Sequence, residues 1–314
     1  VSAAGTAPLA AAFTWHQLPF EDLAALVQLA EELGYAAAYV DGDVSQLASL
    51  GERDVLDGWT VTTALAQRTR RIQLASIRLA HHWNAARLAQ AFATFERIAP
   101  GRQRAFFGIG AQSADRAFGL PFPPAAERVA WLDETLGALR ELWRGEPVAR
   151  RGRFVSLDGA RVRPALEAPP PVELAAAGPR GLALVAKHAD VWNVNVPPLA
   201  ERIAPAARRL EAACTERGRA PRTIARALQI FARPGLAPAD PSLLAGFRRF
   251  HPWFADVSDV DVPRAVLCGG AAAARAQLER MRSDFGLELP IVDVTGLPAA
   301  EAAAALAALA PGGS

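Results

Sequence analysis

The residues best suited to chemistry in this 314-residue chain lie between Glu173 and Asn195, ELAAAGPRGLALVAKHADVWNVN. The apolar run Val172 to Ala177 reads as a buried strand, Gly178-Pro179 breaks it, and Leu182, Val185 and Ala186 then recur at helical spacing. Pro179 suits the first helical position because the N–H it lacks would be unpaired there anyway. Ala189 to Val194 returns as a second strand, so the stretch is a βαβ unit. Its turn is lined by Ala176, Ala177 and Gly178, small enough for a ligand to approach the backbone. Free N–H groups at the helix start, with Arg180 in the first turn, would suit an anion such as a phosphate. A tight turn whose small residues serve packing alone is the competing reading.

This unit belongs to a longer series. Pro8–Trp15, Ala36–Val40, Ile72–Leu79 and Ala105–Ile109 read as strands, separated by helices over Phe20–Leu33, Trp59–Arg68 and residues 84–98. Val129, Leu132, Leu136, Leu139 and Trp143 step by three or four along a further helix. After the βαβ unit come a helix at Leu199–Arg217, a strand at Ile224–Phe231, a helix at 271–285, a strand at Leu289–Val294 and a terminal helix at 299–310. Eight strands alternating with eight helices predict an α/β protein, a (β/α)8 TIM barrel with insertion segments. One domain over residues 1–314 is expected, with excursions at about 111–124, 150–164 and 234–263. An open, doubly wound sheet would lean on Gly108-Ile109-Gly110 as a dinucleotide fingerprint, but Ser113 stands at the third glycine's place.

In a barrel the ligand sits at the C-terminal ends of the strands. Those ends carry Trp15 and His16, Asp41 and Asp43, Ser76 to His82, Gly108 to Gln112, Ala176 to Arg180, and Trp192 to Asn195. No Glu stands with His16, His81 and His82 at metal spacing, so no metal is expected. No nucleophile elbow appears, which argues against acyl transfer. His188, late in a helix beside Lys187, reads as structural. What remains is a mouth suited to a cofactor that carries the reactive chemistry itself.

Composition bounds the rest. Hydrophobic residues make up 51% and charged ones 21%, with a formal charge of +2. Lys187 is the only lysine, and the arginines are spread along helices beside acids instead of clustering, so no nucleic-acid partner is expected. Cys214 and Cys268 match no metal spacing and read as reduced thiols of a cytoplasmic protein. No stretch reads as a signal peptide or a membrane span.

Several segments together resemble one family. AARLAQAFATFERIAPGRQRAFFGIG (85–110), LRELWRGEPV (139–148) with RGRFVSLDGARVRPAL (151–166), PPVELAAAGPRGLALVAKHADVWNV (170–194) and LDGWTVTTALAQRTRRIQLA (56–75) look like the bacterial luciferase-like monooxygenases. That family includes FMN-dependent monooxygenases and reductases dependent on the deazaflavin coenzyme F420. The resemblance implies a (β/α)8 barrel with an insertion and an oxidoreductase acting on a small organic substrate. It implies a cofactor, FMN or coenzyme F420, whose phosphate lies by Ala176, Ala177, Gly178, Pro179 and Arg180. The ring would lie over the mouth near Ser76, Gly108 and Gly110, with Trp192 among the contacts. It also implies a cis peptide within Ala75 to Arg78, a homodimer and, if FMN is used, a separate flavin reductase. His16 and His81 are the candidate proton donors. Two departures stand out: Asp41-Gly42 replaces an acidic residue followed by His, and Ala111-Gln112 stands where certain deazaflavin dehydrogenases place a Glu. Sugar-phosphate dehydrogenase chemistry is therefore not expected. The competing function is a degenerate barrel that binds flavin, or nothing, without turnover.

Overall fold

The structure, a computed structural model, describes residues 7–14, 18–40, 42, 56–110, 118–250 and 252–312. Trp15, His16, Asp41, Asp43 and the Ala111-Gln112 pair lie outside these residues.

The first strands are β1 (Ala10–Phe13), β2 (Ala37–Val40), β3 (Gln73–Ser76), β4 (Arg78–Leu79) and β5 (Ala105–Gly108). A short hairpin, β6 (Val148–Arg151) and β7 (Ser156–Ala160), precedes β8 (Val172–Ala176), β9 (Val191–Val194), β10 (Ala225–Pro234), β11 (Leu267–Gly269) and β12 (Leu289–Asp293). The order across the main sheet is β3-β2-β1-β12-β10-β9-β8-β5-β4, all parallel. The two outer members, β3 and β4, are halves of one stretch bent at Ile77. The first half pairs with β2 and the second with β5, while a Leu74–Gln103 bridge joins β3 to the approach to β5. Counted as one strand, β3 and β4 close a ring of eight. The open-sheet reading is thereby excluded. β11 extends β10 beyond the ring and was not anticipated from the sequence, because three residues leave too short a pattern to read.

Helices α1 (Phe20–Glu32), α2 (Gly58–Arg68), α3 (Ala85–Ile98), α4 (Ala125–Leu142), α5 (Pro179–His188), α6 (Ala200–Glu216), α7 (Pro241–Phe250), α8 (Val262–Ala265), α9 (Ala271–Phe285) and α10 (Ala299–Ala308) complete the chain. α3 shows why they form. Asn84 accepts from the N–H groups of Ala86 and Arg87, and Leu88, Ala89, Phe92, Ala93 and Phe95 bury one face. These stripes join the outward residues of the strands in the main apolar layer, where truncating one leucine such as Leu88 would cost about 2–5 kcal/mol.

Inside the ring the side chains are mostly small, namely Ala10, Ala12, Ala37, Ala75 and Ala227, with Tyr39, Phe106, Leu289 and Ile291. That economy of volume leaves room for polar groups, described below. The excursion at 234–263 packs a third cluster in which Phe254 meets Phe231 edge to face at 5.8 Å. Phe254 and Trp253 are thus part of a packed cluster, while Phe247 and Phe250 lie outside the described side chains. The hairpin at 148–160 is pinned to α4 by Glu134, which accepts from the N–H groups of Arg153, Phe154 and Val155.

Candidate active site at the barrel mouth

Alternation along each strand decides which side chains reach the mouth. Ala12, Tyr39 and Ala75 are fully buried inside the ring, whereas Thr14, Ile77, Gly110, Ala177 and Asn195, at or near the strands' C-terminal ends, are half-buried. The interior therefore opens to solvent at that end. β1 and β8 stand four places apart in the ring of eight, so Thr14 and Ala177 face each other across the opening.

On the β8 side the chain turns into α5 through Gly178, the N-cap residue, and no side chain caps the helix. A Cβ on Gly178 would meet nothing within 4 Å, so open space lies in front of the helix start. Gly181 is different: a Cβ there would come within 2.9 Å of the Ala176 methyl and of Ile109 Cδ1, so this glycine lets helix and strand pack closely. Pro179 occupies the first turn, and Arg180 is exposed beside it. Ala177, Gly178 and Arg180 thus frame an uncapped, positively polarised helix end at the rim, which fits a phosphate.

On the opposite flank the bend in the third strand governs the mouth. A Cβ on Gly42 would fall 1.8 Å from the Ile77 carbonyl oxygen, so no side chain, an imidazole included, fits at this position. The Ile77 side chain reaches over Gly108, where a Cβ would lie 2.6 Å from Cδ1. Gly110, at φ +76°, leaves its space to Leu79 and to His81. The two glycines at the end of β5 thus accommodate the protein's own side chains, and Ile77 is the residue that enters the mouth. The cis peptide expected within Ala75 to Arg78 is not found; among the described residues the cis bond is Arg163–Pro164.

Two other expected contacts face away. Ser76 pairs with Val40 in register, and Val40 belongs to the layer between ring and helices, so the Ser76 side chain points to that layer with its Oγ buried. Trp192 is fully buried in the same layer and donates from Nε1 to the Ala176 carbonyl at 2.8 Å. Its indole holds the end of β8 in place and does not reach the mouth. Ala176 likewise faces α5, not the opening.

His81 sits in a single 3-10 turn after β4, 3% exposed, among His82, Phe122 and Trp131. Burial, then the nearby His82 and Arg128, hold its imidazole down to about 4, so it is neutral at pH 7. Arg128, on α4, donates to the carbonyls of Ile109, Gly110 and Pro123 and stacks over Phe122, fastening the end of β5 to the loop that follows. His188 and Lys187 both bind Asp133 on the outside of the ring, a structural arrangement. Among the described residues no group of three or more His, Cys, Asp or Glu could hold a metal ion, and no helix is long and apolar enough to cross a membrane.

Two fully buried carboxylates inside the ring went unnoticed in the sequence. Glu173 accepts from Arg104 Nη2 at 2.7 Å and Nε at 2.9 Å, from Tyr39 Oη at 2.7 Å and from Asn193 Nδ2 at 2.8 Å. Asp293, on β12, accepts from the Thr295 N–H at 2.6 Å and from Gln229 Nε2, with Thr14 Oγ1 at 3.4 Å. The available signal was a lone acid inside an apolar strand, since a buried charge has to find partners.

The chain matches the family model described as luciferase-like monooxygenase over residues 3–242. It is 34% identical over 167 residues to an F420-dependent glucose-6-phosphate dehydrogenase of Kineococcus radiotolerans, covering 51% of this chain and 50% of that one. It is 29% identical over 157 residues to an F420-dependent hydroxymycolic acid dehydrogenase of Mycobacterium tuberculosis, covering 49% and 42%. Each match therefore spans only about half the length of the relative. Among solved structures, an F420-dependent secondary alcohol dehydrogenase in complex with an F420-acetone adduct superposes with a TM-score of 0.80 at 19% identity, over 97% of this chain and 99% of that one. A monooxygenase from Streptomyces bottropensis superposes at 0.76 and 21%, over 96% and 97%. The closed parallel ring, its bent third strand and the family match over residues 3–242 lead to one conclusion: the chain belongs to the luciferase-like monooxygenase family.

Proposed function

We propose that the chain is an oxidoreductase that uses a phosphorylated flavin or deazaflavin, FMN or coenzyme F420, on a small organic substrate. The observation that carries this reading is the uncapped start of α5, with open space at Gly178, on the rim of a mouth that solvent enters. Ala177, Gly178 and Arg180 would hold the phosphate end, and the mouth bordered by Ile77, Gly110 and Ala177 would take the ring. When bound, such a cofactor supplies two-electron chemistry, as hydride transfer for the deazaflavin or oxygen activation for reduced FMN. The chain's own residues orient the ring, exclude water around Ile77 and Leu79, and manage protons. The relatives in which F420 dependence is stated favour the deazaflavin. With FMN, a separate reductase would supply the reduced form. We place the protein in the cytoplasm and expect a homodimer, by analogy with the family.

Purified protein titrated with FMN and with F420, followed by cofactor fluorescence and thermal shift, should saturate with one of them and melt at a higher temperature. Binding of neither would overturn the reading. A second reading, a flavin-binding barrel without turnover, is favoured by Gly42, where the Ile77 carbonyl excludes an imidazole. Cofactor binding with no turnover on a panel of alcohols, aldehydes and ketones would support it.

A further inference from the structure

Among the described residues, position 42 has no room for an imidazole and His81 is held neutral in an aromatic packing site. The inward faces of β1, β12 and β10 supply one connected set of groups. Asp293 follows Ile291 on the interior face of β12 and is fully buried. Above it, Thr14 Oγ1 lies 3.4 Å from Asp293 Oδ2 and 3.1 Å from Thr295 Oγ1, and Gln229 Nε2 donates to both Asp293 Oδ2 and Thr14 Oγ1. Thr14, just past the end of β1, is half-buried, so the set runs from a fully buried carboxyl to the open mouth. No guanidinium is bonded directly to Asp293 in the contacts described. The nearest, Arg233 on β10, donates to the carbonyls of Ala232 and Thr295 and in turn faces Glu301 on α10.

We propose that Asp293 and Thr14 form a proton relay: Asp293 stores the proton and Thr14 passes it to an oxygen of the substrate. Resting on the oxidoreductase reading above, the relay works as follows. The O–H bond of the Asp293 carboxyl breaks as a new O–H bond forms on Thr14 Oγ1, while the original Thr14 proton moves to the substrate oxygen. The hydride and its electron pair come from the reduced cofactor, so the chain contributes only the proton. Asp293 is left as a carboxylate, stabilised by the N–H of Thr295, the Gln229 amide and the field of Arg233. Reversal of these transfers serves the oxidation of an alcohol. Desolvation, outweighing these donors, holds the Asp293 carboxyl above the ordinary carboxylate range, the direction that proton storage needs. In these terms Thr14 is the group that touches substrate and Asp293 a positioning residue that acts through it.

The test needs no cofactor, so its failure is distinguishable from failure of the oxidoreductase reading. Infrared spectra of the purified chain taken over a pH series should contain a protonated carboxyl band that persists above the ordinary carboxylate range and that Asp293→Asn removes. On rapid mixing with heavy water, exchange of that band should slow by about tenfold in Thr14→Val, the scale of one lost hydrogen bond, and stay near wild type in Thr14→Ser. Thermal unfolding supplies a second readout. Because the folded Asp293 carboxyl lies above its unfolded value, wild type should lose stability relative to Asp293→Asn as pH rises from about 4 toward neutrality. Absence of the band, exchange insensitive to Thr14→Val, or a stability difference that does not change with pH would each overturn the relay.

Discussion

Glu173 and Asp293 are both fully buried carboxylates on the inner face of the same ring, yet their surroundings assign them different work. Glu173 is bonded by two nitrogens of one arginine, a phenol and an amide, and Arg104 is itself 91% hidden. Against the pull of burial, Tyr39 and then Glu173 raise the Arg104 guanidinium above its ordinary range. Such a carboxylate is committed to its partners. Asp293 has an amide, a backbone N–H and hydroxyls about it, and Arg233 donates to two carbonyls and not to this carboxylate. Its charge is less compensated, and it lies under groups that reach the mouth. Direct ion pairing thus separates a carboxylate that holds the barrel together from one placed to exchange a proton.

The comparison is most easily broken by stability measurements. Glu173→Ala leaves the Arg104 guanidinium buried and unpaired and should cost about 3–5 kcal/mol in urea unfolding. Asp293→Asn should cost less, about 1–2 kcal/mol at pH 7, since the amide keeps the shape and the Thr295 N–H bond while its nitrogen cannot accept from Gln229. Equal losses would abolish the distinction. Gly42→Ala sharpens the contrast between the two flanks of the mouth: a methyl 1.8 Å from the Ile77 oxygen must displace the bend, at about 1–3 kcal/mol by thermal unfolding. Outside the ring the effects should be smallest. Asp133 is opposed by burial, yet its bonds to Lys187 and His188 hold its carboxyl below the ordinary range. Its stabilisation is therefore present above the ordinary aspartate value and fades as pH falls through the lowered one. Asp133 and Lys187 are each more than a third exposed, so losing that ion pair in Asp133→Asn should cost only about 0.2–1 kcal/mol at pH 7, checked by the difference between pH 7 and acid.

Much of the scaffold was legible in the sequence because period and punctuation agreed. The 271–285 helix, ended by Gly286 at φ +60°, is found where its pattern placed it, and the strands at Val172 and Leu289 begin where their apolar runs begin. The turn at Gly178 was legible for the same reason. Which face a residue presents was harder to read. Ser76 lies at the end of β3, as the spacing said, but one step of alternation turns it away from the opening, and Trp192 is the second residue of β9, facing the same outer layer. The Glu173 and Asp293 networks join residues more than a hundred positions apart, and no local pattern announces such partners. The exclusion of a side chain at position 42 depends on a backbone bend at Ile77, visible only in three dimensions.

The phosphate end of the mouth offers the most direct test. Gly178→Asp adds a side chain where nothing stands within 4 Å, and aspartate is a favoured N-cap, so the fold should hold or gain stability while a negative charge enters the expected phosphate site. Fluorescence titrations of FMN and F420, with riboflavin as the phosphate-free control, should show the phosphorylated cofactor weakened by about tenfold or more in this variant, on the scale of one charge-assisted bond, and riboflavin unaffected. Equal affinities of the phosphorylated cofactor for wild type and variant would contradict a phosphate held at the start of α5.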